Sequence, residues 1–282
     1  MQRSLIIPYC TGMERSGSRV TWQIAKQLAP EAPPDDWYPE WQNAVYNYHV
    51  PGGKDELPRD FINWPLRGHE YYPDIPVIYT YRNPTEALLS LYSRMCQDVG
   101  KTIPGPTGKK FEMTPGVWLD EQSWDNAIVM TKDIAMKRAL YSIGKHWDIW
   151  KRYSAEAKEG REVLFLRYED HFADHGSRVK AIADFMKSSA TLEELFQISE
   201  DTSLEKNLRL SESISKNNPD ARFGVGFLGK TGLQLGHVNP NIKGIPGLHL
   251  ETQPRLVGAV KNAQGGPLEA LREMTIDMGY EL

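Results

Sequence analysis

The run Thr11-Gly12-Met13-Glu14-Arg15-Ser16-Gly17-Ser18-Arg19 sets arginines, small hydroxyls and glycines between two ordered-looking segments. Before it stands a short apolar run, Leu5-Ile6-Ile7. After it comes a helical pattern, with Val20, Ile24 and Leu28 four residues apart and Pro30 as the stop. Strand, glycine-bearing turn and helix together make an anion site. The N–H groups of the turn and first helical residues converge, and the helix dipole favours negative charge there. Arg15 and Arg19 add full positive charge, so the spacing predicts a phosphate-binding loop. Glu14 is an acid beside that site and is expected to orient Arg15 or Arg19.

A second segment competes for the same role. Gly224-Val225-Gly226-Phe227-Leu228-Gly229-Lys230-Thr231 matches G-x-x-x-x-G-K-[ST] letter for letter. Its context contradicts it: Lys216 to Asp220 cannot be a buried strand, and Gly232 to Pro240 cannot be a helix. The N-terminal loop has the right context, but Ser18 stands where the lysine for β- and γ-phosphates belongs. An ordinary ATP site is therefore disfavoured.

The remaining chain must position these groups. Its 282 residues are 40% hydrophobic and 25% charged, enough for a sizeable core in one domain spanning 1–282. A formal net charge of −4 gives no global attraction to nucleic acid or anionic membrane, so anion affinity must be local. Cys10 and Cys96 are too few for a disulfide framework and lack metal-like spacing. Three aliphatics at the N-terminus make no signal peptide, and no apolar run reaches the ~18 residues of a membrane span. A cytoplasmic protein with no metal site is expected.

Val77-Ile78-Tyr79-Thr80-Tyr81 is β-branched and aromatic and predicts a strand. Arg82 follows it, then Asn83 as N-cap, Pro84 at the first helical position and Glu86 at capping-box spacing. Residues 100–116, rich in Gly, Pro, Thr and Lys, predict a mobile loop, as do residues 217–247. A long helical region with Ile134, Arg138, Tyr141 and Lys145 follows the first of these. Val163-Leu164-Phe165-Leu166 predicts a strand buried on both faces, ending at Tyr168-Glu169-Asp170. Helices are expected over about 177–187 and 267–278. Alternating strands and helices imply an α/β fold of three layers, a mainly parallel sheet flanked by helices, with ligands at the C-terminal strand ends.

Arg15-Ser16-Gly17-Ser18 resembles the K/R-S-G-[ST] loop of sulfotransferases that use 3′-phosphoadenosine 5′-phosphosulfate (PAPS). Val77 to Ser90 is similar to that family's strand–R-[ND]-P–helix segment, with Ser90 eight residues after Arg82. Arg67-Gly68-His69 resembles the K-[ST]-H segment, Val163 to Asp170 the strand ending in Y-E-D, and Thr202-Ser203-Leu204 the T-S-F segment. Ile242-Lys243-Gly244-Ile245-Pro246-Gly247 is similar to R-K-G-x-x-G. The matches keep the family's order from residue 5 to about 250.

The resemblance implies the P-loop-like sulfotransferase fold and sulfuryl transfer from PAPS to a hydroxyl or amine of a small-molecule acceptor, with no nucleic acid, membrane or metal involved. It implies His69 as general base, with His49 as rival, and Arg67 on a sulfonate oxygen. Arg15, Ser16, Gly17, Ser18 and Arg19 would hold the 5′-phosphate, and Arg82 and Ser90 the 3′-phosphate. Tyr168 and Thr202 would meet the adenine, and Lys243 and Gly244 would close over the 3′-phosphate. The chain departs from the pattern at Glu14 (usually proline), at Val20 (often tryptophan, here displaced to Trp22), at Leu204, at Ile242 and after Gly247. Lys230 is a candidate lid charge. A nucleotide-dependent small-molecule kinase is the alternative, with Glu169 and Asp170 as Mg²⁺ ligands. Oligomeric state stays open.

Overall fold

The computed structural model describes residues 5–6, 8–29, 76–97, 99–100, 102–114, 117–209 and 245–281. Three parallel strands form its central sheet: β1 (Tyr9–Gly12), β2 (Val77–Tyr81) and β5 (Val163–Arg167), in the order β1-β2-β5. Register runs Tyr9↔Val77 to Gly12↔Thr80 and Val77↔Val163 to Tyr81↔Arg167. The strand expected at residues 5–7 thus begins later. Ile6 instead donates its N–H to the Met186 carbonyl at 2.8 Å, at the end of a helix.

Strand β2 alternates between two cores, as a doubly covered strand must. Ile78 packs with Cys10, Trp22, Ile24, Leu28, Val179, Ile182 and Met186, from β1, α1 (Ser18–Leu28) and the region of α5 (His175–Phe185). Val77 and Tyr79 face Ile149 and Tyr153 of α3 (Lys132–Lys158). On that face a further core joins α2 (Pro84–Cys96) to α3 and to α9 (Gly266–Asp277) through Leu88, Ile143, Leu271 and Met274. These are the three expected layers. The apolar stripe expected on α1 is real, with Ile24 and Leu28 buried.

Residues 102–129 differ from expectation. The predicted loop is a strand, β3 (Thr102–Thr114), paired antiparallel with β4 (Val117–Val129). Its prolines and glycines mislead because this two-stranded sheet consists of edges alone, where a missing N–H costs little. The register shifts beside Gly105, Pro106 and Lys110, where the ladder absorbs them. The sequence reading also passes over α6 (Leu192–Asp201), although Thr191 and Glu194 form a complete capping box there. Short helices α4 (Tyr168–Phe172), α7 (Leu248–Thr252) and α8 (Pro254–Lys261) complete the described chain.

One close approach fixes where the first loop begins. A side chain at Gly12 would run into the side chain and carbonyl of Thr80. Met13 then donates its N–H to that Thr80 carbonyl at 2.9 Å, so the first loop leaves β1 pressed against β2.

Candidate functional site

The C-terminal ends of the three strands deliver the Arg15 loop, Arg82 and Tyr168 to one place. In the loop, Arg15 takes a left-handed conformation, φ 67°, and Gly17 another, φ 77°. Left-handed backbone is costly for an arginine, and such strain persists only where neighbours hold it. Two guanidiniums do so. Arg82 donates Nη1 to the Arg15 carbonyl at 2.9 Å, and Arg178 of α5 donates Nη2 to the Gly17 carbonyl at 3.0 Å and to Thr21 Oγ1 at 2.9 Å. Carbonyls pinned in this way leave the N–H side of the loop to face the site.

Arg15 sends its side chain to the second unit, where Nε donates to Ser90 Oγ at 3.0 Å. The two serine-and-arginine sets assigned to opposite ends of one ligand therefore touch. Ser16 turns inward. Its hydroxyl donates to the Met13 carbonyl at 2.6 Å and lies 2.9 Å from Thr80 Oγ1, while its N–H also goes to the Met13 carbonyl at 3.2 Å. Ser16 builds the turn, and Gly17 follows as the N-cap of α1. No side chain caps this helix and no acid stands in its first turn, which holds Ser18 and Arg19.

Arg82 is buried, 2% exposed, and its plane lies over the Tyr168 ring with the guanidinium carbon 4.5 Å from the centroid. Nη2 is 2.9 Å from Glu86 Oε2, while Nε has no hydrogen-bond partner among the described residues. A buried arginine N–H without an acceptor is costly, and an anionic oxygen is the chemistry that relieves it. The Asn83 side chain accepts the Glu86 N–H at 3.1 Å, as the expected cap does. The reciprocal arm of the capping box is absent, because Glu86 binds Arg82 and accepts the Gly247 N–H at 2.7 Å. The Asn83 N–H goes instead to Glu169 Oε1 at 2.9 Å.

Burial raises the Tyr168 pKa, which Arg82 and Arg178 pull back. Burial also lowers Arg178, to about 10, leaving it charged at neutral pH. Thr202 sits at the C-cap of α6 with its hydroxyl donated to Ile198 O at 2.7 Å, and it meets His175 Nε2 at 2.8 Å. Burial and the nearby Arg178 hold His175 down to about 4.

Glu14, expected beside Arg15 or Arg19, is anchored on a helix instead. Its carboxylate points away from the site to α3, where it accepts from Ser142 Oγ at 2.6 Å, meets His146 Nε2 at 2.8 Å and pairs with Lys145 Nζ at 3.3 Å. Burial alone would raise its pKa. Lys145, His146 and the hydrogen bonds outweigh burial and hold the carboxyl well below the usual carboxylate range. Burial pulls the His146 pKa down while the Glu14 carboxylate pulls it up. An ionised Glu14 can only accept, which places a proton on His146 Nε2, and Nδ1 lies 3.1 Å from the Tyr79 hydroxyl.

Sequence reasoning missed Arg178 and His249. The arginine stands two residues into an unremarkable helical pattern and carries no motif. His249, on α7, is buried with Nδ1 3.4 Å from Gln253 Nε2. Burial and then the charges of Arg82 and Arg15 hold its pKa down to about 4. Its signal was the shared stretch ending at Gly247, two residues earlier. His69, Arg67, Lys243, Gly244, His49, Lys230 and the string 224–231 lie outside the described residues. Among the described residues no group of three or more His, Cys, Asp or Glu could hold a metal, and no helix is long and apolar enough to cross a membrane.

No curated protein is significantly similar to the chain. A family model for the sulfotransferase domain matches residues 70–220, which include Arg82, Ser90, Tyr168 and Thr202 but stop short of the Arg15 loop and the Lys243 segment. With more than half its length matched, carried on a parallel sheet whose strand ends gather two arginines and a capless helix start, the chain belongs to the sulfotransferase domain family.

Proposed function

We propose that the protein transfers a sulfuryl group from PAPS to a hydroxyl or amine of a small-molecule acceptor. The observation that carries this reading is the junction of two phosphate-type sites: the Arg15 loop on one side and Arg82 with Ser90 on the other, joined by the 3.0 Å Arg15–Ser90 bond. PAPS has phosphates at both ends of its ribose and supplies an activated sulfuryl group. Arg82 Nε, buried without an acceptor among the described residues, fits the 3′-phosphate, with Ser90 beside it. The amides of Gly17, Ser18 and Arg19 and the Arg15 charge fit the 5′-phosphate, whose charge grows as it leaves. Tyr168, already stacked with Arg82, and Thr202 serve the adenine end.

His69 takes the acceptor proton, since an imidazole with a pKa near 6.5 suits that role at neutral pH. Arg67 steadies a sulfonate oxygen, and Lys243 and Gly244 close over the 3′-phosphate. Holding reactants in line and stabilising charge supplies most of the catalysis in such transfers, so a metal is not required in this reading. The protein works as one domain in the cytoplasm, with Cys10 and Cys96 as free thiols. Glu169 argues against the kinase alternative: its oxygens are taken by the Asn83 N–H, the Tyr280 hydroxyl and Arg167.

Thermal unfolding with PAPS, adenosine 3′,5′-bisphosphate or ATP–Mg²⁺ tests the reading. A ligand at 100 times its Kd stabilises the fold by about 2.7 kcal/mol. PAPS and the bisphosphate should raise the melting temperature in a concentration-dependent way. Stabilisation by ATP–Mg²⁺ alone would sink the proposal.

A further inference from the structure

The phosphate loop is held by carbonyl clamps at Arg15 and Gly17, but what forces Arg15 into its left-handed turn lies one residue earlier. Glu14 is anchored to α3 by three side chains from a single stretch: Ser142 at 2.6 Å, Lys145 at 3.3 Å and His146 at 2.8 Å. Tyr79 of β2 holds His146 in turn at 3.1 Å. With Met13 fixed to Thr80 and Glu14 drawn toward α3, the chain must reverse at Arg15 to reach the N-cap at Gly17. The φ of 67° is the price of that reversal. Its outcome is that the Arg15 carbonyl meets Arg82 and the Arg15 guanidinium meets Ser90.

We propose that Glu14 is a positioning residue for donor binding. Anchored on Ser142, Lys145 and His146, it sets the turn that aims Arg15 between the two phosphate sites. Glu14 touches no ligand; it acts through Arg15. This inference rests on the reading that Arg15 and Arg82 hold the phosphates of the donor. The carboxylate is held by three groups of α3. Lys145 and His146 face it from α3, and behind His146 stands Tyr79, whose own pKa burial keeps raised. The side chain therefore stays charged across the working range.

Calorimetric titration with adenosine 3′,5′-bisphosphate tests this. Glu14→Ala should weaken binding about tenfold, and Glu14→Gln, which keeps shape but loses the Lys145 pair, by less. In an Arg15→Ala background, Glu14→Ala should cost no further affinity, because the residue it aims is gone; a merely structural role would still add its loss there. Ser142→Ala removes one anchor while leaving the loop untouched, and should weaken binding two- to threefold. It carries the test if Glu14→Ala does not fold. A Glu14→Ala protein that melts earlier but binds the bisphosphate as tightly as the parent overturns the inference alone. So do losses that add in the Arg15→Ala background, and a Ser142→Ala protein with unchanged affinity. Failure of the parent protein to bind the bisphosphate overturns the reading of the site and this inference with it.

Discussion

Two strand–turn–helix units lie side by side and solve the same problem in opposite ways. After β1, the chain enters α1 through left-handed residues, with no capping side chain and no acid in the first turn. In the proposed function, its helix start serves an external anion. After β2, the chain enters α2 through Asn83, whose side chain caps the helix, with Pro84 at the first position and Glu86 in the first turn. That helix start is closed by its own residues. What the second unit offers instead is Arg82, a buried guanidinium at the strand end. In the proposed function, one unit binds with backbone amides, the other with a side chain, and a donor bearing two phosphates would use both.

The contrast breaks most sharply at the side chain. Arg82→Ala should weaken bisphosphate binding by about a hundredfold or more, since it removes a buried charge and the clamp on the Arg15 carbonyl. His69→Ala should leave that affinity intact and lower turnover by about 10² to 10⁴, the usual worth of a positioned base. A variant that loses both would show that His69 belongs to the donor site.

Effects on the backbone side should be smaller and should split between binding and stability. Gly17→Ala forces a left-handed Cβ to within 3.0 Å of Arg178 Nη2 and 3.2 Å of the Tyr168 ring. A cost of about 1–3 kcal/mol follows, seen in both melting and bisphosphate affinity. Asn83→Ala removes an ordinary cap and should cost about 1 kcal/mol of stability with little change in affinity. Equal effects from the two substitutions would erase the distinction between the open and closed helix starts.

Stability should also depend on pH. His249 and His175 have folded pKa values near 4, below the ~6.5 of an unfolded chain. The unfolded state therefore binds more protons between those values. Stability is fully present above pH 6.5 and falls as pH drops toward 4. The melting temperature should follow that course, and His249→Gln should flatten it.

The sheet was legible because its signals were local. The apolar runs at Val77 and Val163 marked strands, but only the first is covered on both faces: in β5, at the end of the described sheet, Leu166 alone is fully buried. Asn83-Pro84 marked a helix start that the structure reproduces. The rule that ligands sit at the C-terminal ends of parallel strands already put Arg15, Arg82 and Tyr168 together. The hairpin at 102–129 was illegible because its Pro and Gly content mimics a loop, which a two-stranded ladder tolerates. Glu14 and Arg178 were opaque for another reason. Their partners lie 128 to 132 and 157 to 161 residues away in sequence, and no spacing rule spans that distance.

Gly12 carries a consequence for how this site can vary. Because a side chain there would occupy the space of Thr80, the position admits no gradual change: each alternative residue pushes β1 off β2 at the point where the loop departs. In a saturation library selected for transfer, most of residues 13–19 should return graded scores. Gly12 should return all or nothing, and a smaller side chain at Thr80 should not rescue it, because the Thr80 backbone carbonyl would still stand in the way.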